Sequence, residues 1–175
     1  MQTQKKHTEI ATLRVPVSED GAHVHNLVAN CPPLDPNSMY CNLLQCSHFA
    51  DTCVAAEMDG ELVGFVSGYI PPATPNVFFC WQMAVGEKAR GQGLAKRMLR
   101  EILQREHCAK ITFLETTITE DNEASWAVFR SLAKDLNTEV ASEVMFDRER
   151  HFGGEHATEM LVRVGPFVPR QKDWL

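Results

Sequence analysis

Apolar residues recur along this chain in two rhythms, every second position or every third to fourth, and the changes of rhythm mark out the elements. Leu13 to Val17 reads as a short first strand. Ser18 suits a helix N-cap, with Glu19 and Asp20 in a first turn where the helix dipole favours acids. Val24, Leu27 and Val28 then form one apolar face, and Cys31-Pro32-Pro33 ends that helix. A second helix is expected from about Pro36 to Ser47, with Tyr40, Leu43 and Leu44 sharing a face. Thr52 to Met58 and Glu61 to Ile70 are strand-like around an Asp59-Gly60 turn, a hairpin signature. Val77 to Val85 reads as a buried strand.

The strongest helical period follows. Leu94, Ala95, Met98, Leu99, Ile102 and Leu103 share one face, while Lys96, Arg97, Arg100, Glu101 and Gln104 fill the other. Lys110 to Ile118 is strand-like, and Asn122 to Leu136 helical. Thr138 to Phe146 and Thr158 to Val164 are the last strands, separated by a polar stretch with Gly153-Gly154. The predicted order is β-α-α-β-β-β-α-β-α-β-β, an α/β (mixed α+β) chain whose mostly antiparallel mixed sheet carries helices on both faces. One domain over 12–164 is expected, between polar tails at 1–11 and 165–175.

Composition adds bounds rather than detail. The 175 residues suit one domain able to bury a core without staples. Net charge is −6, the wrong sign for a domain that grips nucleic acid or an anionic membrane, and no stretch is long and apolar enough to span one. The first seven residues lack the apolar core of a secretory signal. Six cysteines form no C-x-x-C pair and read as reduced, packed thiols in a cytoplasmic protein. His23, His25 and His48 lack partners at metal spacing, so no metal is expected.

Chemistry concentrates in Gly86-Glu87-Lys88-Ala89-Arg90-Gly91-Gln92-Gly93, between an apolar strand and the start of a helix. The glycines permit a tight turn, and the first N–H groups of the helix have no partner within it. A diphosphate is the natural guest, with Lys88 and Arg90 adding charge. Neither a P-loop nor the Gly-x-Gly-x-x-Gly fingerprint is present.

Arg90-x-x-Gly93-x-Ala95 after an apolar strand resembles the acyl-coenzyme A motif of the GCN5-related N-acetyltransferase (GNAT) superfamily. So does the later strand followed by Asn122-x-Ala124-Ser125, Trp126 and Phe129. The resemblance narrows to the diaminobutyrate acetyltransferases of ectoine synthesis. It rests on Cys31-Pro32-Pro33-Leu34-Asp35-Pro36-Asn37-Ser38-x-Tyr40, Phe79-x-Trp81-Gln82-x-Ala84-Val85, Leu114-Glu115-Thr116-Thr117-Ile118-Thr119 and Gly154-x-His156-x-x-Glu159-x-Leu161.

The resemblance implies a GNAT fold with a splayed central strand pair and acetyl-coenzyme A as cosubstrate. The cosubstrate would lie along Met83, Val85, Arg90, Gly91, Gln92, Gly93, Leu94, Ala95, Asn122 and Trp126. The acceptor would be the γ-amine of L-2,4-diaminobutyrate, and the assembly a homodimer, with Phe146, Phe152 and Phe167 as candidate contacts. Asp35, Tyr40, Trp81, Thr117, His156 and Glu159 would face the substrate. An ammonium must lose a proton before it attacks, and Asp35, Glu115 and Glu159 remain equal candidates for the base. Where many acetyltransferases place a Tyr to protonate the thiolate, this helix offers only Trp126 and Phe129. Two other readings stand beside this one: an acetyltransferase for a different small amine, and an acyl-coenzyme A sensor without catalysis.

Overall fold

Seven strands form one sheet in the order β1-β2-β3-β4-β5-β7-β6. The computed structural model describes residues 10–169. The strands are β1 (Thr12–Arg14), β2 (Val54–Met58), β3 (Glu61–Tyr69), β4 (Val77–Val85), β5 (Phe113–Thr119), β6 (Val140–Phe146) and β7 (Glu159–Val164). The helices are α1 (Gly21–Ala29), α2 (Met39–Gln45), α3 (Leu94–Leu103), α4 (Glu123–Asp135) and α5 (Arg148–Phe152). Every pairing is antiparallel except β4 with β5, which are joined by the α3 crossover and run parallel.

Alternation along β3 sorts the two faces. Phe65 packs with Val24, Val28 and Ala84 under α1. Its neighbour Val66 joins Phe78, Met98, Leu99, Ile102, Phe129 and Leu132 under α3 and α4. Both layers are apolar and almost fully buried, so helices cover the sheet on two sides. Five of the six cysteines are buried and all are free thiols. Burial pushes Cys46, Cys53 and Cys80 up to about 12, so they pack as small hydrophobes.

Several expectations change in detail. Ser18 does not cap α1; it opens a separate 3-10 turn, and its hydroxyl donates to Glu19. Asp20 is instead buried against Arg14 and the Val17 N–H. The second helix starts at Met39, because Ser38 caps it by accepting from Cys41 N–H. Its inward face carries Asn42 and Gln45, joined by a 3.0 Å hydrogen bond. Of the expected face, Tyr40 points outward, while Leu43 lies against Gly21 of α1 and Leu44 is half-buried. The polar stretch before β7 holds the short helix α5, capped by Asp147 and closed by Gly153 at φ 60°.

Residues 1–9 and 170–175 of the expected tails lie outside the described residues. The inner ends belong to the domain. Ala11 is buried, and its carbonyl accepts from Arg97. Phe167 is buried, with its N–H bonded to Thr112.

Candidate active site

β4 and β5 pair only through Val77–Phe79 and Phe113–Glu115. Beyond that point they part, and a cleft of about 530 Å³ opens between them. One side is β4, where the β3 register shifts so that Ser67 faces Gln82 and Gly68 faces Cys80. Trp81 is the extra residue of this bulge, and Cys80, Trp81, Gln82 and Met83 all reach the cleft. The other side is Thr116, Thr117, Ile118 and Thr119, with Asn122, Ser125 and Phe129 from α4.

Two loops close the cleft. The segment between α1 and α2 brings Pro33, Leu34, Asp35 and Asn37; the approach to β7 brings His156 and Glu159. His156 Nε2 lies 3.1 Å from Asp35 Oδ2 and 4.0 Å from Glu159 Oε1. The Ala157 carbonyl, followed by Asp35 and Glu159, holds the imidazole above its ordinary pKa. Glu159 Oε2 is buried with no hydrogen-bond partner among the described residues. An orphaned carboxylate oxygen is costly unless something donates to it.

At the far end of β4 the chain turns through Glu87–Ala89 into α3. Gly91 and Gly93 sit at φ 74° and 69°, conformations L side chains rarely adopt, and no other atom approaches within 4 Å of where a Cβ would stand. The N–H groups of Leu94, Ala95 and Lys96 have no acceptor within their own helix. This open cradle of donors fits a diphosphate. Arg90 is braced beside it, its Nε donating to Val85 O at 3.1 Å. Lys88 is not free for the same task, since its ammonium pairs with Glu61 at 2.5 Å. The side chain of Leu94 is buried in the core, which leaves only its backbone for a ligand.

Residues 22–133 match the Acetyltransferase (GNAT) family. An L-2,4-diaminobutyric acid acetyltransferase from Methylotuvimicrobium alcaliphilum is 60% identical over 167 residues, covering 95% of this chain and 97% of that one. The chain belongs to the diaminobutyrate acetyltransferases of the GNAT family. A relative of the same description from Chromohalobacter salexigens is 49% identical over 91% of this chain and 83% of that one. Among solved structures, diaminobutyrate acetyltransferase EctA from Paenibacillus lautus, in complex with L-2,4-diaminobutyric acid and coenzyme A, superposes with a TM-score of 0.87. It is 36% identical and covers 91% of this chain and 96% of that one. The sensor reading therefore falls away, and the cleft is that of an acetyltransferase using acetyl-coenzyme A.

Within this acetyltransferase, Asp35, Trp81, Met83, Thr117, Asn122, His156 and Glu159 meet in one cleft. Val85 and the expected cosubstrate turn from Arg90 to Ala95 lie outside this lining, at the far end of β4, and Glu115, Tyr40 and Trp126 do not line it either. Glu115 stands at the last paired position of β4 and β5, below the splay, and is bound to Arg163 opposite it on β7. Tyr40 is 70% exposed on the outer side of α2. Trp126 is buried, and its indole N–H is committed to Thr119 O at 3.1 Å, with the Arg130 guanidinium over its ring. Asn122 caps α4 through Oδ1, which accepts from Ser125 N–H, while its side chain also borders the cleft. Asn37, Gln82 and Ser125 also line the cleft; the motifs contained them, but no site role was assigned to them. Asn37 and Ser125 are ordinary polar residues of a loop and a helix start, while Gln82 is a polar residue within the apolar strand β4, and only the bulge and the splay show where the three face.

Proposed function

We propose that this acetyltransferase moves acetyl from acetyl-coenzyme A to the γ-amine of L-2,4-diaminobutyrate, giving Nγ-acetyl-diaminobutyrate for ectoine synthesis. The observation that carries the reading is the unpartnered Glu159 oxygen in a cleft that also presents Asp35. Two carboxylates match a substrate with two ammonium groups, and the Trp81 ring, 42% exposed, offers a face for a cation. In this reading Thr117, on the cleft wall, donates to the substrate carboxylate.

A free side-chain amine of this kind is almost wholly protonated at pH 7. In our reading Glu159 accepts a proton from the γ-ammonium, and His156, within reach of both carboxylates, passes it toward solvent. Glu115 is withdrawn as a base because its charge is spent on Arg163. The neutral nitrogen attacks the thioester carbon, and the carbonyl oxygen gains charge beside the β4 backbone at Met83. The C–S bond breaks, the nitrogen gives its remaining excess proton to water, and the thiolate takes a proton from water, since Phe129 stands in the wall without an O–H. The diphosphate rests on the N–H groups of 91–95, with Arg90 alongside. The pantetheine runs along β4 from Val85 to Met83 and past Asn122.

Release of coenzyme A thiol with a panel of amines tests the activity, and product NMR tests the position. Diaminobutyrate must outperform lysine, ornithine and spermidine, and the acetyl group must sit on Nγ; equal turnover of the panel defeats the reading.

We also infer a cytoplasmic homodimer. The free thiols suit a reducing compartment, and among the described residues no helix is long and apolar enough to cross a membrane. Met39, Tyr40, Leu43 and Phe49 leave an exposed apolar patch on and just after α2, and edge strand β6 exposes Val144, Met145 and Phe146. Phe167 is not available for such an interface, because it is buried within its own chain.

A further inference from the structure

We propose that Gln82 is a positioning residue for the reaction, a single amide that clamps the Asp35 loop onto the bulge of β4 and so sets where the Asp35 carboxylate meets the substrate. The inference rests on the diaminobutyrate reading and deepens it.

The loop from Asn30 to Ser38 is anchored at its ends: Asn30 N–H bonds Asn26 O and Leu27 O, Cys31 N–H bonds Val28 O, Leu34 N–H bonds Cys31 O, Ser38 O accepts from Asn42 N–H, and Cys31 and Leu34 pack in the core beside α1. Between those ends, Asp35 to Asn37 makes no backbone–backbone bond among the described residues. From Asp35 to Asn37, the hydrogen bonds to the sheet both end on Gln82. Gln82 Nε2 donates to Asp35 O at 2.8 Å, and Gln82 Oε1 accepts from Asn37 Nδ2 at 2.9 Å. The backbone carbonyl can only accept, which fixes the orientation of the Gln82 amide; its oxygen must then accept, which fixes Asn37 in turn. One planar group thus grips the loop on both sides of Pro36.

Gln82 can do this because of the bulge. Its backbone is registered opposite Ser67, one residue past the extra Trp81, so the side chain rises on the cleft side. Trp81 and the Asp35 loop are therefore held by consecutive residues of one strand. The Asp35 side chain is 80% exposed, and its contact is the His156 imidazole. Without the clamp, a mobile loop carries that carboxylate, and each productive encounter must order it again.

The test uses Gln82→Leu, which removes both hydrogen bonds at similar size, with Gln82→Glu, Asn37→Ala and Asp35→Asn. In Gln82→Leu the KM for diaminobutyrate is expected to rise about tenfold, as for loss of about one or two modest hydrogen bonds, with the KM for acetyl-coenzyme A unchanged. Asn37→Ala gives a smaller change of the same kind, and Gln82→Glu, which keeps the acceptor for Asn37, lies between. Combined with Asp35→Asn, Gln82→Leu adds little, because it acts through that carboxylate. Additive losses, an equal rise in both KM values, or wild-type kinetics overturn the proposal. A readout independent of activity keeps it separate from the choice of substrate. The Asn37 side-chain NH2, which donates to Gln82 Oε1, is expected to exchange faster in Gln82→Leu, and the His156 imidazole to titrate lower, with the thermal midpoint lowered by no more than about a few degrees. Unaltered exchange and titration refute the clamp even if diaminobutyrate proves to be the wrong amine.

Discussion

His156 and Asp35 stand 121 residues apart in the chain, and the imidazole Nε2 of one lies 3.1 Å from the carboxylate of the other. That contact ties the loop before β7 to the loop between α1 and α2 across the mouth of the cleft. The imidazole also bonds the Ala157 carbonyl at 2.7 Å, and the two together favour its charged form.

The sign of the resulting pH dependence follows. A histidine whose folded pKa is raised is stabilising when protonated, fully so below its unfolded value of about 6.5, and the benefit fades as pH rises through the folded value. NMR titration is expected to find His156 charged to higher pH than a free imidazole. Asp35→Asn lowers that midpoint without returning it to the reference, because the Ala157 carbonyl is the larger cause.

Glu159→Gln keeps the shape of the side chain and removes its basicity. The expected result is a fall in kcat of about 10²- to 10⁴-fold, with the KM for acetyl-coenzyme A little changed. A rise of activity at alkaline pH in the variant, where free amine is more abundant, identifies the lost step as proton removal.

Glu115→Gln provides the contrast. Its partner Arg163 is about half exposed and keeps access to water, so the loss is about 1 kcal/mol of stability rather than a collapse. Denaturant unfolding is expected to show that loss while kcat stays within about twofold.

Gly93→Leu tests the cradle. The left-handed backbone at φ 69° strains any L side chain by about 1–2 kcal/mol, so the thermal midpoint drops by a few degrees. The new side chain also stands where we propose that the diphosphate rests. Calorimetry is expected to find coenzyme A binding weakened more than tenfold, well beyond what the stability loss accounts for.

Asp20 offers a stability measurement away from the cleft. Its carboxylate accepts from Arg14 at 2.7 and 2.9 Å and from Val17 N–H at 2.8 Å, and the Arg14 guanidinium holds it below the usual carboxylate range. A depressed carboxylate stabilises above its unfolded value, about 3.9, and the gain is lost as pH falls through the lower folded value. Asp20→Asn is expected to cost about 2 kcal/mol at pH 7 and to flatten the acid limb of the stability curve.

The strands and the long helices were legible because their periods are set by local geometry: β2 and β3 by alternation around Asp59-Gly60, α3 by the 3.6-residue repeat from Leu94. The Gly-rich turn before α3 was legible for the same reason, since a helix N-terminus behind two glycines is a local feature. The second helix was only partly legible: Tyr40 faces outward, and the buried Asn42–Gln45 pair is one that no period of hydrophobicity reveals. The three carboxylates looked equivalent in sequence. Their different fates depend on partners far away in the chain: Glu115 meets Arg163, Asp35 meets His156, and one oxygen of Glu159 has no partner among the described residues.

By itself, then, the order of residues determined the elements, the Gly-rich turn before α3 and the set of polar groups from which a site is built, because these depend on neighbours within about one or two turns of chain. Only the tertiary structure decided where β4 and β5 part, and with it which side chains share the cleft. The bulge joins Ser67 to Gln82, the splay begins where Phe79 leaves Glu115, and the clamp joins Asn37 to Gln82, all beyond the reach of local propensity, so packing chooses among such contacts.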